Sequence, residues 1–307
     1  MLGIKEIGVY IPSGRISNFE RMEELDTNED FILNKIGISS VAVKANEEDT
    51  SDLAIKAFGN LESKIEIDKE NVEALILVTQ SPDSNIPHTS ALVHKALELP
   101  ETCACFDISL GCSGFVYGLS VIMNFMKGNG MKHGVLLTSD PYTKILDPND
   151  RNTSLLFGDA ATATYISDEP ELLAGQFNFG SIGKDWEGLH TMNGYLNMNG
   201  RSIFNFAARY VPKDVNQLLE KNKMTIEDID SFVFHQGSKY IVDTISKKLG
   251  LPKEKVIFDA MEYGNTVSSS IPLIIEKQLA NKEVRTILIC GFGVGLSWSS
   301  SILKRKN

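Results

Sequence analysis

Short apolar runs alternate with amphipathic stretches along most of this chain. The runs at residues 74–79, 135–138, 232–234 and 286–290 are rich in aliphatic and aromatic side chains and are typical of buried strands. Apolar residues recur at helical spacing over 89–97 and 241–249, and Gly250 and Pro252 end the second of these stretches. Such alternation predicts an α/β fold with mainly parallel sheets.

A weak internal repeat indicates that the fold is a duplicated α/β unit. The matching segments are 106–112 with 258–265, 75–79 with 232–235, and 135–138 with 287–290. All three pairs lie about 150 residues apart and keep the same order. We therefore predict two halves, residues 1–168 and 169–307, which share one interface and join near 166–173. The repeat places Cys112 and Asn265 at corresponding points of the two halves.

Composition and charge exclude several classes of function. The chain has 307 residues with 42% hydrophobic and 23% charged side chains, an ordinary globular mixture. Its net charge of -10 argues against a nucleic-acid partner. No signal peptide or bilayer-length apolar run is present, so we expect a soluble, cytoplasmic protein without membrane insertion. Four irregularly spaced cysteines fit a reducing compartment and do not form a metal motif.

Cys112 is the strongest candidate for a nucleophile. It lies between a strand-like stretch and the apolar, helix-length stretch 115–126, and it is flanked by Gly111 and Gly114. At a helix N-terminus, the helix dipole and unpaired backbone N–H groups stabilise a thiolate, and glycines allow a sharp bend and a close approach of substrate. A lone cysteine is more often a buried structural residue. The glycine setting favours the catalytic interpretation for Cys112, whereas the other three cysteines are predicted to be structural.

His235 and Asn265 are candidates to complete the site. His235 directly follows an apolar strand, and α/β folds place their sites at the carboxyl ends of strands. Gly264-Asn265 alone would indicate only a turn. Its correspondence with Cys112 in the repeat favours a functional role for Asn265. The other four histidines are predicted to be surface or core residues.

Together these segments resemble the β-ketoacyl-acyl carrier protein synthase III family, the initiating condensing enzymes of type II fatty-acid synthesis. The resemblance covers essentially the whole chain. The motifs that carry it are Gly111-Cys112-Ser113-Gly114-Phe115, Arg151, Leu156-Phe157-Gly158-Asp159, His235-Gln236, Gly264-Asn265-Thr266, and Gly291-Phe292-Gly293 with Trp298. It implies the thiolase-like, five-layered αβαβα fold of two duplicated halves, and usually a homodimer.

The resemblance also implies a mechanism without a metal or a bound cofactor. Cys112 would accept an acyl group from a coenzyme A or phosphopantetheine thioester, with an oxyanion hole formed by the N–H groups of Cys112 and Val294. A malonyl thioester would then lose carbon dioxide, and His235 and Asn265 would donate hydrogen bonds to the enolate oxygen. Condensation with the acyl group on Cys112 would follow. Acyl carrier protein is the expected partner.

The substrate groove departs from the family pattern at several positions. Phe31 and Lys35 stand where the family has a tryptophan and an arginine, and Arg201 and Ser238 replace amide side chains. Ile86 matches a residue that closes the acyl pocket of the neighbouring subunit and is often phenylalanine, which suggests a longer or more branched acyl group. Besides these, the resemblance assigns substrate-binding roles to Arg151, Gly200, Phe204 and Val294, and carrier-protein docking to Lys247 and Lys248.

The altered groove keeps other functions open. A specialised relative could transfer or extend acyl groups for a secondary metabolite or a surface glycan with the same three catalytic residues. Hydroxymethylglutaryl-coenzyme A synthase chemistry needs a glutamate that is absent near Gln80-Ser81, and thiolases need a second catalytic cysteine in a setting that Cys290 does not provide. A non-catalytic scaffold is the alternative outside enzymology, and the intact Cys, His and Asn set argues against it.

Overall fold

Ten strands form one large sheet in the computed structural model, which describes residues 1–191 and 194–306. The strands in chain order are β1 (Gly3–Tyr10), β2 (Gly14–Ser17), β3 (Ser40–Val43), β4 (Ala74–Val78), β5 (Ala104–Ile108), β6 (His133–Ser139), β7 (Ala161–Ser167), β8 (Leu172–Ala174), β9 (Asn178–Ser181), β10 (Leu189–His190), β11 (Asn197–Met198), β12 (Ser231–Phe234), β13 (Thr286–Gly293) and β14 (Ser297–Arg305). The large sheet has the order β12-β13-β14-β8-β1-β7-β6-β4-β5, with β9 paired to β14. Two small antiparallel sheets, formed by β2 with β3 and by β10 with β11, are separate from it.

The two ends of the sheet are built alike. In the first half β4 is parallel to β6, which is antiparallel to β7. In the second half β12 is parallel to β13, which is antiparallel to β14. Even the parallel pair of β4 and β5 has a counterpart, a parallel bridge between Phe232 and Val256. The strand β8 links the halves by pairing with β1 on one side and β14 on the other.

The described residues contain seven α-helices. They are α1 (Thr50–Lys64), α2 (Thr89–Ala96), α3 (Gly114–Gly128), α4 (Arg151–Ser154), α5 (Gly200–Lys221), α6 (Lys239–Leu249) and α7 (Ser270–Ala280). A π-helical segment also spans Phe31–Ile36. The strands predicted near 74–79, 135–138, 232–234 and 286–290, and the helices predicted near 89–97 and 241–249, are all confirmed within one to three residues of their bounds.

The helices and strands stack in five layers. Helix α3 packs on β4 and β6 of the first half and on β13 and β14 of the second, while α7 packs on β1, β7, β12 and β13. These two helices therefore form the central layer. On the outer sides, α1 and α2 cover the first half and α5 and α6 cover the second. The predicted thiolase-like architecture is confirmed, and the start of α3 lies at the junction of the halves.

Burial of apolar side chains explains why α3 and the strands take these places. Every residue of β4 is buried, as expected for a parallel strand that is covered on both faces. Helix α3 buries Phe115, Leu119, Ile122 and Met126 against it, because these residues share one helical face. Within the described residues, no helix is long and apolar enough to cross a membrane.

Candidate active site

Cys112 lies in the short turn that connects β5 to α3. The turn is closed by a 2.7 Å hydrogen bond from the Gly114 N–H to the Gly111 carbonyl oxygen, and Cys112 is 4% exposed. On the opposite side, the end of β13 packs directly on the cysteine. A methyl group added at Gly293 would lie 2.8 Å from the Cys112 Sγ, and one added at Gly291 would lie 2.7 Å from the Cys112 carbonyl oxygen. Both glycines are therefore needed so that the second half can approach the nucleophile.

The backbone N–H groups of Val294 and of Cys112 itself act on the Cys112 sulfur and lower its pKa. Complete burial has the larger and opposite effect, and raises the pKa of Cys112 to about 12. Burial of the sulfur therefore opposes the stabilisation of a thiolate that the sequence predicts at the start of α3. Removal of water from the sulfur outweighs the effect of the two N–H groups and favours the neutral thiol.

His235 directly follows β12 and faces the same site. Its backbone N–H donates to the Cys290 carbonyl oxygen at 2.9 Å, which fixes it beside β13. The ring meets Phe292 edge-on, with centroids 5.6 Å apart and an angle of 89° between the rings. The Nδ1 atom lies 2.7 Å from the Ser270 Oγ, so Nε2 is the ring nitrogen left for substrate. Burial lowers the pKa of His235 to about 3, and the imidazole is neutral at physiological pH.

Asn265 is held by the first half of the molecule. Its N–H donates to Leu156 O at 2.8 Å, and its carbonyl oxygen accepts from the Gly158 N–H at 3.0 Å. A methyl group added at Gly158 would lie 2.0 Å from a neighbouring carbonyl oxygen, that of Tyr263, so only glycine fits there. The segment that begins Phe157-Gly158 thus packs beside the site. The Asn265 Oδ1 accepts from the Val267 N–H at 2.9 Å, which leaves the Nδ2 group as the available donor.

One cavity of about 300 Å³ brings the three residues together. Its walls are mainly apolar, a usual feature of small-molecule sites. The predicted residues that line it are Phe31, Lys35, Cys112, Gly200, Arg201, Phe204, His235, Ser238 and Asn265. The sequence did not single out several further lining residues, namely Ile36, Asn152, Leu189, Met198, Ile203 and Ile241.

The mouth of the cavity carries a cation and two aromatic rings in contact. The Lys35 Nζ lies 4.5 Å from the centroid of the Tyr240 ring, and Tyr240 stacks on Phe204 with centroids 5.2 Å apart. This contact connects the Phe31–Ile36 segment to the start of α6. Ser238 accepts from the Ile241 N–H at 3.3 Å and caps α6, so it has a structural role beside the groove.

The remaining predicted residues lie outside the cavity. Arg151 begins α4, and its Nη1 donates to the Asp26 carbonyl oxygen at 2.7 Å. Ile86 is 89% exposed on the loop before α2, where it is available to another molecule. Lys247 and Lys248 are exposed near the end of α6, and the Lys248 Nζ donates to the Ala208 carbonyl oxygen at 3.0 Å. Val294 contributes its backbone N–H beside the Cys112 sulfur.

Comparison with known proteins places the chain in a family. Residues 106–183 match the family model described as 3-oxoacyl-[acyl-carrier-protein (ACP)] synthase III, and residues 219–305 match the model of its C-terminal part. The protein of Streptococcus mutans serotype c named beta-ketoacyl-[acyl-carrier-protein] synthase III is 33% identical, and the alignment covers 98% of each chain.

Solved structures agree with this match over the whole length. The β-ketoacyl-[acyl carrier protein] synthase III of Thermus thermophilus has a TM-score of 0.93 and 32% identity, with 99% of each chain covered. The priming β-ketosynthase of the R1128 polyketide biosynthetic pathway has a TM-score of 0.90 and 26% identity, covering 100% of this chain and 97% of its own. The chain therefore belongs to the β-ketoacyl-[acyl-carrier-protein] synthase III family of condensing enzymes.

Proposed function

We propose that this protein transfers an acyl group to Cys112 and condenses it with a malonyl thioester. The observation that supports this most directly is the shared cavity, in which the thiol of Cys112 lies with the neutral imidazole of His235 and the amide of Asn265. Each half of the molecule supplies part of the set. Family membership makes the chain an acyltransferase of the condensing-enzyme class.

In the first step the Cys112 sulfur attacks the carbonyl carbon of an acyl thioester. The N–H groups of Cys112 and Val294 at the sulfur suit the oxyanion that forms on the neighbouring carbonyl oxygen. The bond to the donor thiol breaks, the acyl group stays on Cys112, and the thiol proton leaves with the departing thiol.

In the second step a malonyl thioester enters the same cavity and loses carbon dioxide. The electrons of the broken bond form an enolate, whose oxygen takes hydrogen bonds from His235 Nε2 and Asn265 Nδ2. The carbanion attacks the acyl carbonyl on Cys112, and the cysteine leaves and takes up a proton. A neutral imidazole suits this role, because a donor that stays uncharged does not have to be desolvated as an ion.

The groove suits a phosphopantetheine arm, which both coenzyme A and acyl carrier protein carry. Apolar residues line the cavity, and the cations Lys35 and Arg201 stand near its mouth. We propose thioesters of either carrier as substrates and acyl carrier protein as the partner, with no metal or further cofactor. Since the chain has a net charge of -10, an acidic carrier needs a local basic surface, which Lys247 and Lys248 offer.

We propose a homodimer that uses the outward face of α3. Tyr117, Val121 and Phe125 recur there at four-residue spacing, and Phe125 packs edge-on against Phe106 of β5 at 5.6 Å. Phe179 continues this surface, with its ring 4.8 Å from that of Tyr117 and 49% of its area exposed. The strand β5 is at the open edge of the sheet. An exposed apolar edge of this kind is suited to pairing with a second copy.

The mouth of the cavity favours the second candidate, a specialised family member with an unusual donor or acceptor. Lys35 contacts the Tyr240 ring on the side of the groove where the family pattern has different residues. Both candidates use the same chemistry at Cys112, so their difference lies in which thioesters react. We place either activity in the cytoplasm, which fits thioester substrates and the free cysteines of this chain.

The experiment that tests the proposal is intact-protein mass spectrometry after incubation with a panel of acyl-coenzyme A and acyl carrier protein thioesters. We expect a mass increase equal to one acyl group in the wild type and none in Cys112→Ala. The preferred acyl group separates the housekeeping candidate from the specialised one. Absence of any adduct from both kinds of donor would contradict the proposal and support a scaffold that has lost its chemistry.

A further inference from the structure

The turn between Asn265 and α7 holds an unusual backbone conformation. Val267 has a φ of 54°, in the left-handed region that β-branched residues rarely adopt. Val267 is completely buried, so the surrounding structure must hold it in place. Strained residues of this kind persist where the structure over-determines them, and they cluster at functional sites. In this conformation the turn contacts the side chains of both Asn265 and His235.

The turn contacts both side chains that face the enolate. The Val267 N–H donates to the Asn265 Oδ1 at 2.9 Å, which directs the amide so that its nitrogen is the donor toward substrate. Ser270, the first residue of α7, places its Oγ 2.7 Å from the His235 Nδ1. Ser270 and His235 are each 2% exposed, so water does not compete for this hydrogen bond. The Ser270 hydroxyl has one proton and two possible acceptors, the His235 Nδ1 at 2.7 Å and the Val267 carbonyl oxygen at 3.0 Å, and the Nδ1 contact is the shorter.

A neutral imidazole carries its single proton on one nitrogen only, and the other nitrogen accepts. Donation to an enolate requires the proton on Nε2, so Nδ1 must then accept a hydrogen bond. The Ser270 hydroxyl lies at Nδ1, and the Val267 backbone carbonyl, which contacts that hydroxyl, is also a hydrogen-bond acceptor for the imidazole. A carbonyl oxygen cannot donate, and it favours the opposite tautomer with the proton on Nδ1. The hydroxyl can donate, and it is therefore the group that allows the productive tautomer.

We propose that Ser270 is a positioning residue that donates to the His235 Nδ1 and so holds the imidazole in the tautomer with its proton on Nε2. Without this hydroxyl, the Val267 carbonyl oxygen would draw the proton to Nδ1. The lone pair of Nε2 would then face the enolate oxygen and repel it. The inference rests on the proposed function of His235, and it assigns a role to a residue that never touches substrate.

The test compares the two half-reactions in Ser270→Ala. Acylation of Cys112, followed by intact mass, should stay within about twofold of the wild type, because it does not need the Nε2 donor. Condensation with a malonyl thioester should fall about 100-fold, the usual loss for one donor to a developing oxyanion. Ser270→Thr keeps the hydroxyl and should restore most of the condensation rate. Equal losses in both half-reactions would overturn the proposal and indicate a purely structural role.

The chain offers a matched control and an independent readout. Ser231, in the strand that leads to His235, has a buried hydroxyl without a hydrogen-bond partner, so Ser231→Ala should keep both half-reactions. Nitrogen-15 NMR of histidine-labelled protein, assigned with His235→Gln, reports the tautomer directly. We expect the proton on Nε2 in the wild type and on Nδ1 in Ser270→Ala. A wild-type proton on Nδ1 would overturn the inference even in an active enzyme, whereas the correct tautomer without acylation would contradict only the proposed function.

Discussion

At Cys112 and His235, burial determines the protonation state. Burial favours the neutral form of both side chains, since it raises the pKa of the thiol to about 12 and lowers that of the imidazole to about 3. The glycine pattern and the repeat predict these residues as candidates from the sequence alone, and the structure brings them into one cavity. The pattern and the repeat cannot reveal the protonation state, which depends on how completely the two halves exclude water. The same limit explains why Ser270 was missed, because its partner is 35 residues away in sequence.

The buried imidazole should make the protein sensitive to acid. Unfolded chains take up a proton on histidine as pH falls through 6.5, whereas the folded protein does so only near pH 3. The free energy of unfolding therefore decreases as the pH falls through this window. At pH 5, protonation of His235 in the unfolded chain should lower it by about 2 kcal/mol. The test is urea unfolding at pH 8 and at pH 5. Between these two pH values, the free energy of unfolding should fall by about 2 kcal/mol less in His235→Gln than in the wild type.

The pH comparison has a simple control. Ser231→Ala changes a neighbouring buried residue without altering charge, so its loss of stability between pH 8 and pH 5 should equal that of the wild type. An unchanged pH dependence in His235→Gln would show that the imidazole is not the group that takes up the proton on unfolding.

At the scale of the elements, α3 and α6 each begin beside the cavity and also present a surface to solvent. Helix α3 starts beside Cys112, buries one apolar stripe in the central layer and presents a second stripe outward. Helix α6 starts with Tyr240 at the cavity mouth and ends with Lys247 and Lys248 at the surface. The helical spacing of α6 is evident in the sequence. Its contact with Lys35 is not, because that contact depends on how the Phe31–Ile36 segment packs against it.

Reversing the charges at the end of α6 should separate the two kinds of donor. In Lys247→Glu/Lys248→Glu, the KM for acyl carrier protein substrates should rise about tenfold, because an acidic partner is repelled and each factor of ten is about 1.4 kcal/mol. Reaction with coenzyme A thioesters should change less than twofold, since both lysines lie outside the cavity. The measurement is steady-state kinetics with both donors at low and high salt, and salt should reduce the difference.

Charge reversal at Lys95, an exposed residue of α2 on the other outer layer, provides the control and should leave both KM values unchanged. A parallel rise of KM for coenzyme A thioesters in the α6 variant would contradict a docking surface and indicate a distorted groove instead.

At the scale of the whole molecule, the site exists because two similar halves meet. The repeat predicts the order of matching strands, and β4, β6 and β7 do correspond to β12, β13 and β14 in direction and pairing. The link through β8 was not predictable, since a three-residue strand has no distinctive pattern. The division at residues 168 and 169 stays a prediction. It falls in the connection between β7 and β8, where the chain passes from one half to the other.

The proposed dimer would give Ile86 its predicted place in the acyl pocket of a neighbouring subunit. This side chain is almost fully exposed in the single chain, so it is free to contact a second copy. We expect light scattering to give twice the chain mass of 33.9 kDa for the wild type. Phe179→Glu should shift the mass to that of one chain, because it places a charge in the apolar face next to Tyr117. The half-exposed position of Phe179 lets the variant fold, which circular dichroism can verify.

If dimers supply Ile86 to the acyl pocket, this variant and Ile86→Ala should change the preferred acyl length in the same direction. A wild type that stays monomeric at micromolar concentration would contradict the dimer and leave Ile86 without a role in the reaction.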